Sequence, residues 1–460
     1  MKFGGNKDNV SVMLGDPKKA ISIFSLPIAI ALLMQHSNNL ADTLWVTALG
    51  AESMAAMGMV YPMYSVLIGV GNGLGIGVSA AIARSIGRGD SEYANKVATQ
   101  SFFIALAFSL AMAPILLLTA EPVLRLISGG VDVTEAMAFS MPLYASVLVI
   151  ILSGIMSGIL RGEGAVRKSM YIQVIGAVAN IILDPVLIYA FDMGIAGAAW
   201  ATVISFSLSI VVGLYWYLVK KDMFLRMRLS HLRFNRECSR DILSVGLPQS
   251  LEFCLMSLFN IGYNICVIAV GSYGAMAVYT IAWRIINMIF IIPQAFGGAI
   301  ISACSAEYGM RRYDMIRVAY GYAVKRSMLY LSIMSIMAIA LADPIASVFS
   351  YAPDMQGLHG ELVMMLRVQA IMLPVMSLIF VGSSLLQSLN RSKTAVVSSV
   401  IRNMLITVAF VFSTAVFGTL YSLAWSMVVC EIAGGALMGV WALYALKDSA
   451  RRDGRLDQLV

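Results

Sequence analysis

Residues 26–50 read LPIAIALLMQHSNNLADTLWVTALG, a run apolar enough to cross a bilayer that nevertheless carries Gln35, Asn38, Asn39 and Asp42. An acidic side chain near the middle of a membrane helix costs roughly 2.5–3.5 kcal/mol on insertion scales, so its first reading is functional. The four polar residues recur at helical spacing and form one stripe, which lipid does not accommodate. A second acid in the same situation is Asp184, in VANIILDPVLIYA (residues 178–190). There Asn180 lies four residues before Asp184 and shares its face, and Pro185 removes the backbone bond to residue 181.

The rest of the chain belongs to the same class. Of its 460 residues 59% are hydrophobic and only 12% charged, more apolar surface than a soluble fold can hide. Crossing a hydrocarbon core of roughly 30 Å takes about 20 apolar residues. Twelve such runs occur, near residues 20–47, 54–83, 97–119, 136–160, 169–191, 194–219, 241–270, 274–306, 327–350, 362–389, 395–416 and 418–446. Sorting the 32 Lys and Arg by alternate sides of these spans puts 28 on one side, Arg125 on the other, and Arg284, Arg367 and Arg402 inside spans. The positive-inside rule then makes both termini cytoplasmic, and a wrong number of spans would have scrambled the sorting. The net charge of +7 is accounted for by this topology and by contact with anionic lipid, without nucleic acid. The polar stretch up to Lys19 leads into a span too long for a signal-peptide core, so the first span is expected in the mature protein.

The opening segment also has a partner. Shifted by 221 residues, SLPIAIALLMQHSNNLADTLWVTALG lies over GLPQSLEFCLMSLFNIGYNICVIAVG without a gap, Pro27 meeting Pro248, Asn39 Asn260 and Gly50 Gly271. Farther on, Gly87 matches Gly309 at 222 and Trp200 matches Trp425 at 225. Six spans per half is an even number, so the repeats enter the membrane in the same sense. The expected fold is an all-α polytopic membrane protein of 12 transmembrane helices in two parallel six-helix repeats around a central cavity, a transporter-like plan. The expected boundaries are a cytoplasmic N-terminus 1–19, an N-lobe 20–219, a cytoplasmic linker 220–240, a C-lobe 241–447 and a cytoplasmic C-terminus 448–460. A monomer is expected.

At 1.5 Å per residue, Asp42, Asp184 and Thr202 all lie roughly 12 Å below the outer surface. Two carboxylates, an amide and a hydroxyl at one depth form an oxygen cage for a small hard cation or a proton site. Interhelical hydrogen bonding alone is the structural alternative, and it weighs most for Gln35, Asn38 and Asn39. The second half does not copy this chemistry, since Tyr263 stands at the place of Asp42 and ITVAFVF at that of Asp184. It offers instead Glu252, Glu431 and Arg284 as candidates for substrate contact or a second proton site, Arg284 either lining the cavity or neutralising one of the acids.

Other features are structural. Gly69, Gly73 and Gly77 let helices approach closely; they do not make a nucleotide-binding GxGxxG. Five scattered cysteines (Cys238, Cys254, Cys266, Cys304, Cys430) have no CxxC spacing, and His36, His231 and His359 lie far apart, which argues against a metalloenzyme. The 31 methionines are mainly lipid-facing or core filler, with an adaptable substrate surface as the functional alternative.

The segments LPIAIALLMQHSNNLADTLWVTALG, GILRGEG (158–164) and NIILDPVLIY (180–189), with AWR at 282–284, resemble the multidrug and toxic compound extrusion (MATE) transporters, most closely archaeal members of the DinF-like branch. The pairing of NLAD with NxxLDP is the specific element, and the resemblance spans nearly the whole chain. It implies two six-helix lobes around a V-shaped cavity and export of cationic or amphipathic compounds in exchange for Na⁺ or H⁺. Asp42, Asn180, Asp184 and Thr202 would carry the coupling ion, with no other cofactor, and the first span would change its packing around a hinge at Pro27. Pro185 is the second expected hinge. Two departures, Phe139 where relatives can have a cavity tyrosine and Glu252 in the second half, bear on substrate range and on the number of coupling sites. The alternatives are a flippase of a lipid-linked precursor, which calls for a more cationic cavity, and a major-facilitator transporter, whose loop signature is missing from RSIGRGDSEYANK. An integral-membrane enzyme acting on lipid is the alternative of another class.

Overall fold

The computed structural model describes residues 7–129, 132–226, 234–350 and 356–459. Residues 227–233 of the expected linker, with His231, lie outside the described residues. Among the described residues nine helices are each long and apolar enough to cross a membrane, and three bent helix pairs, each taken as one span, bring the number to twelve. The spans are Pro17–Thr47, Ala51–Gly87, Ser91–Ser128, Thr134–Ala145 with Val147–Gly162, Val166–Ala190, Gly194–Lys220, Arg236–Gly271, Gly274–Ile289 with Ile291–Gly309, Tyr313–Ala340, His359–Ala370 with Leu373–Ser388, Ser392–Val416 and Leu420–Arg452. They are numbered one to twelve below.

One span is displaced from its expected position. The ninth, read as 327–350, runs from Tyr313 to Ala340 and is followed by a separate short helix, Ala342–Phe349. Lys325 and Arg326 made the sequence reading start too late. Both are exposed on the helix, and the Arg326 guanidinium lies over the Tyr322 ring, 5.6 Å from its centroid, so the cations do not end the helix.

The bends have local causes. Span ten turns by 49° where Pro374 removes the donor for the Ala370 carbonyl, and Ser335 Oγ from span nine fills that place at 2.7 Å. Span eight turns by 40° just ahead of Pro293, and span four by 53° just after Pro142. Spans four and ten hold equivalent places in the two repeats, so the bend belongs to the repeated unit.

The described chain divides into two compact units, one of Met1–Asp16, Leu26–Phe253 and Ser305–Met310, the other of Pro17–Ser25, Cys254–Cys304 and Arg311–Val460. These are not the boundaries expected from the sequence, because each repeat's first helix is shared. Span one changes unit at Leu26, next to Pro27, and span seven changes at Cys254. Within the first unit, the Gly69–Gly73–Gly77 face packs on the early part of span seven. A Cβ at Gly77 would overlap the Ile242 carbonyl, and one at Gly73 the Ser250 side chain. The glycines therefore act as the sequence suggested, as sites of close helix approach.

Candidate cation site in the first half

Span five sets the geometry. Its α-helix, Val166–Pro185, carries Asn180 and Asp184 inward, at 2% and 0% exposure. Pro185 has no N–H for the Ile181 carbonyl, and the helix continues as a π-helical turn, Val186–Ala190, closed by Phe191 N to Val186 O at 3.0 Å. Such widened turns recur at functional sites because they release backbone groups and redirect side chains.

Asn180 joins three helices. With its amide turned so that both ends are satisfied, Nδ2 donates to Asp42 Oδ1 on span one at 2.7 Å and to Asn38 Oδ1 at 2.8 Å. Its carbonyl oxygen accepts from Thr202 N on span six at 3.2 Å. That oxygen also faces Asp184 Oδ1 at 3.4 Å and Thr202 Oγ1 at 3.5 Å. The Thr202 hydroxyl spends its proton on Ala198 O, 3.1 Å away, so lone pairs remain toward the site. Asn38 Nδ2 lies 3.5 Å from Asp42 Oδ2, and the Asp42 and Asp184 carboxyls are within hydrogen-bonding reach of each other. Asp184 Oδ2 is fully buried and has no donor among the described residues.

Chemically, these are several oxygens converging with too few protons between them. Two carboxylates in contact repel each other unless a proton or a cation lies between them. The donor set of carboxylate, amide and hydroxyl oxygens suits a hard monovalent cation or a proton. Among the described residues no group of three or more His, Cys, Asp and Glu is placed to hold a metal ion, so a transition-metal centre has no ligands here. Farther along span five, Tyr189 packs on span one, its hydroxyl donating to Trp45 O at 2.6 Å and its ring meeting that of Trp45 edge-on at 6.3 Å.

Asp42, Asn180, Asp184 and Thr202 are thus brought together, with Asn38 from the polar stripe. Asn39 is exposed and Gln35 half-buried, and no hydrogen bond among the described residues ties either side chain to the cluster. Span one runs through Pro27 as one helix. Tyr64 on span two, which the sequence did not single out, lies near enough to sense both carboxylates. Its aromatic environment is common in apolar helices, so no sequence signal marked it.

The second-half candidates do not assemble into a comparable cage. Glu431 is paired with Arg402 at 2.7 Å, not with Arg284, which is exposed on span eight. Of the two roles expected of Arg284, lining the cavity or neutralising one of the acids, the second falls for Glu431 to Arg402, buried one span away with its guanidinium in contact. Glu252 is half-buried on span seven. At the turn after span four the structure exposes a role for Glu163 of the RGEG segment that the sequence left unread. At 1% exposure, Glu163 accepts from Tyr217 Oη at 2.7 Å and from Leu225 N at 3.0 Å, and burial pushes its carboxyl up to about 7.

The chain is 25% identical over 441 residues to the multidrug export protein MepA of Staphylococcus saprophyticus, covering 94% of each. It is 24% identical over 443 residues to MepA of Staphylococcus aureus, again with 94% of each covered. Among solved structures, a crystal structure of MATE in complex with MaL6 superposes with a TM-score of 0.93 at 30% identity, covering 96% of this chain and 99% of that one. An outward-facing multidrug resistance MATE family transporter gives 0.92 at 30% identity, covering 96% and 98%. A MOP superfamily transporter from Pyrococcus furiosus gives 0.91, also at 30% identity, covering 96% and 98%. The MatE family profile matches twice, over residues 27–186 and 248–413, once in each repeat, and the chain belongs to the MatE family.

Proposed function

We propose that this chain is a multidrug exporter of the cell membrane that expels cationic or amphipathic small molecules in exchange for Na⁺ or H⁺ by alternating access. The family, the curated relatives named as multidrug export proteins, and the twelve-span fold support export. The observation that carries antiport is the pair of Asp184, fully buried, and Asp42, half-buried, gathered around Asn180 and backed by Thr202, in one half only.

The coupling cation enters from outside and takes its place among the Asp42, Asp184, Asn180 and Thr202 oxygens. Neutralising the two carboxylates draws spans one, five and six together, since Asn180 already joins all three. Span one then repacks around Pro27, where it passes between the two compact units. The repacked arrangement disfavours the substrate-loaded outward state, so substrate leaves as the cation binds. The chain works as a monomer in contact with membrane lipid, both termini in the cytoplasm.

The test is efflux of a fluorescent cationic dye from liposomes holding the purified protein, under an imposed proton gradient and then a sodium gradient. Wild type responds to one of them and names the ion. Asp184→Asn keeps dye binding and loses the gradient-driven component. Active wild-type vesicles that answer neither gradient would refute antiport and direct attention to lipid-linked substrates.

A further inference from the structure

The second half contains a buried ion pair of its own. Arg402 Nη1 on span eleven donates to Glu431 Oε1 and Oε2 on span twelve at 2.9 and 2.7 Å, and the two side chains are 10% and 5% exposed. Burying two charges costs several kinds of hydration at once, and such pairs persist only in well-shaped surroundings. The surroundings here are shaped for arginine. A Cβ at Gly434 would overlap the Arg402 Cγ and Cδ, so the glycine leaves room for the aliphatic stem. The neighbouring Asn403 is fixed from both sides, accepting from Tyr263 Oη at 2.9 Å and donating to Ser399 O at 2.8 Å.

The internal repeat says what this pair replaces. Residues with left-handed backbone mark equivalent turns in the halves: Gly164 and Asn390 ahead of spans five and eleven, Asp192 and Gly418 after them. Both pairs lie 226 residues apart, which sets the register of the helices between them and places Phe410 at the position of Asp184. The ungapped 221-residue match places Tyr263 at that of Asp42. The Tyr263 and Phe410 rings pack with centroids 5.3 Å apart. An aromatic contact therefore stands where the first half has two facing carboxylates, and the second half holds Glu431 against a cation that is part of the chain.

We infer that Glu431 is the anion of a second cation site whose permanent occupant is the Arg402 guanidinium, so the second half takes up no free coupling ion. The ligand class of the emptied site is a planar guanidinium ion, which reproduces the paired hydrogen bonds that Na⁺ lacks. The meaning of the site for transport rests on the first-half acids being the coupling site, whereas its occupancy is tested without transport.

The experiment is thermal unfolding of the purified full-length protein in detergent, titrated with millimolar guanidinium chloride against equal sodium chloride. Arg402→Ala is expected to unfold at lower temperature than wild type and to regain several degrees with guanidinium and not with sodium, as a ligand that binds only the native state requires. Wild type and Arg402→Ala/Glu431→Gln are expected to show no guanidinium-specific rise. Absence of a rise in Arg402→Ala, or the same rise in the double variant, overturns the inference. Should Arg402→Ala fail to fold, Arg402→Met/Glu431→Met decides. Recovery of folded double variant supports a defect due to an uncompensated carboxylate, and loss of both variants overturns it. Dye efflux by wild type bears only on the first-half site, so the two readings fail separately.

Discussion

Asn180 is the side chain on which the first-half site depends, because its amide makes the only polar link among the described residues between Asp42 on span one and the Thr202 backbone on span six. Asn180→Ala leaves both carboxylates and removes the bridge. A hydrogen bond to a charged group is worth about 1.5–3 kcal/mol, so cation affinity is expected to fall roughly ten- to hundredfold. Isothermal titration with the coupling cation checks this, and unchanged affinity would remove Asn180 from the site. The sequence made Asp42, Asn180, Asp184 and Thr202 legible, since burying a carboxylate in an apolar helix is costly whatever its neighbours. It did not separate Asn38 from Asn39. Both lie on one polar stripe, and only the direction in which span five approaches decides that Asn38 meets Asn180 while Asn39 stays exposed.

The adjoining ends of spans three, four, five and six hold the chain segment that follows span six. Glu163 anchors it through Leu225 N, Asn95 Oδ1 accepts from Arg226 N at 2.7 Å, and Lys168 pairs with Asp222 at 2.9 Å, whose carboxyl the lysine and Lys220 hold below its ordinary value despite partial burial. Glu163 is the titrating member. Burial pushes its carboxyl from 4.5 up to about 7 in the folded protein, against the opposing hydrogen bonds from Leu225 N and Tyr217, so the folded state binds this proton more tightly than the unfolded one. The contribution of this group to folding is then fully present below pH 4.5, is lost as pH rises from there to about 7, and is constant above, a change on the order of 3 kcal/mol. The thermal unfolding midpoint in detergent is expected to fall over that interval more in wild type than in Glu163→Gln. Identical profiles would show that Glu163 does not titrate there. The sequence foresaw the helices but not this strap, because Glu163 and Leu225 are 62 positions apart and nothing local marks a buried acid in a turn. Helix ends were similarly uncertain. The ninth span was misplaced where Lys325 and Arg326 sit on a continuing helix, their long stems letting the charges reach water from within its first half.

Across the whole molecule the two halves share a path and differ in chemistry. Spans four and ten bend alike, at 53° and 49°, whereas the acid pair of one half is an aromatic pair in the other. If cation and substrate exclude each other, linkage requires equal factors in both directions: saturating dye must raise the cation dissociation constant as much as saturating cation raises that of the dye. Paired titrations in detergent measure both, and independence of the two would overturn the exchange mechanism. The sequence by itself determined the number of spans, the internal repeat and which acids fall inside spans, since crossing a bilayer is a local property of about 20 residues and a charge within it is costly in any context. The tertiary structure alone decided which partners those charges meet: Asp42 through Asn180 with span six, Glu431 with Arg402 and not Arg284, Glu163 with Leu225. Those pairings depend on the rotation and approach of helices far apart in the chain, set by glycine contacts and proline bends acting together, and no single segment encodes them.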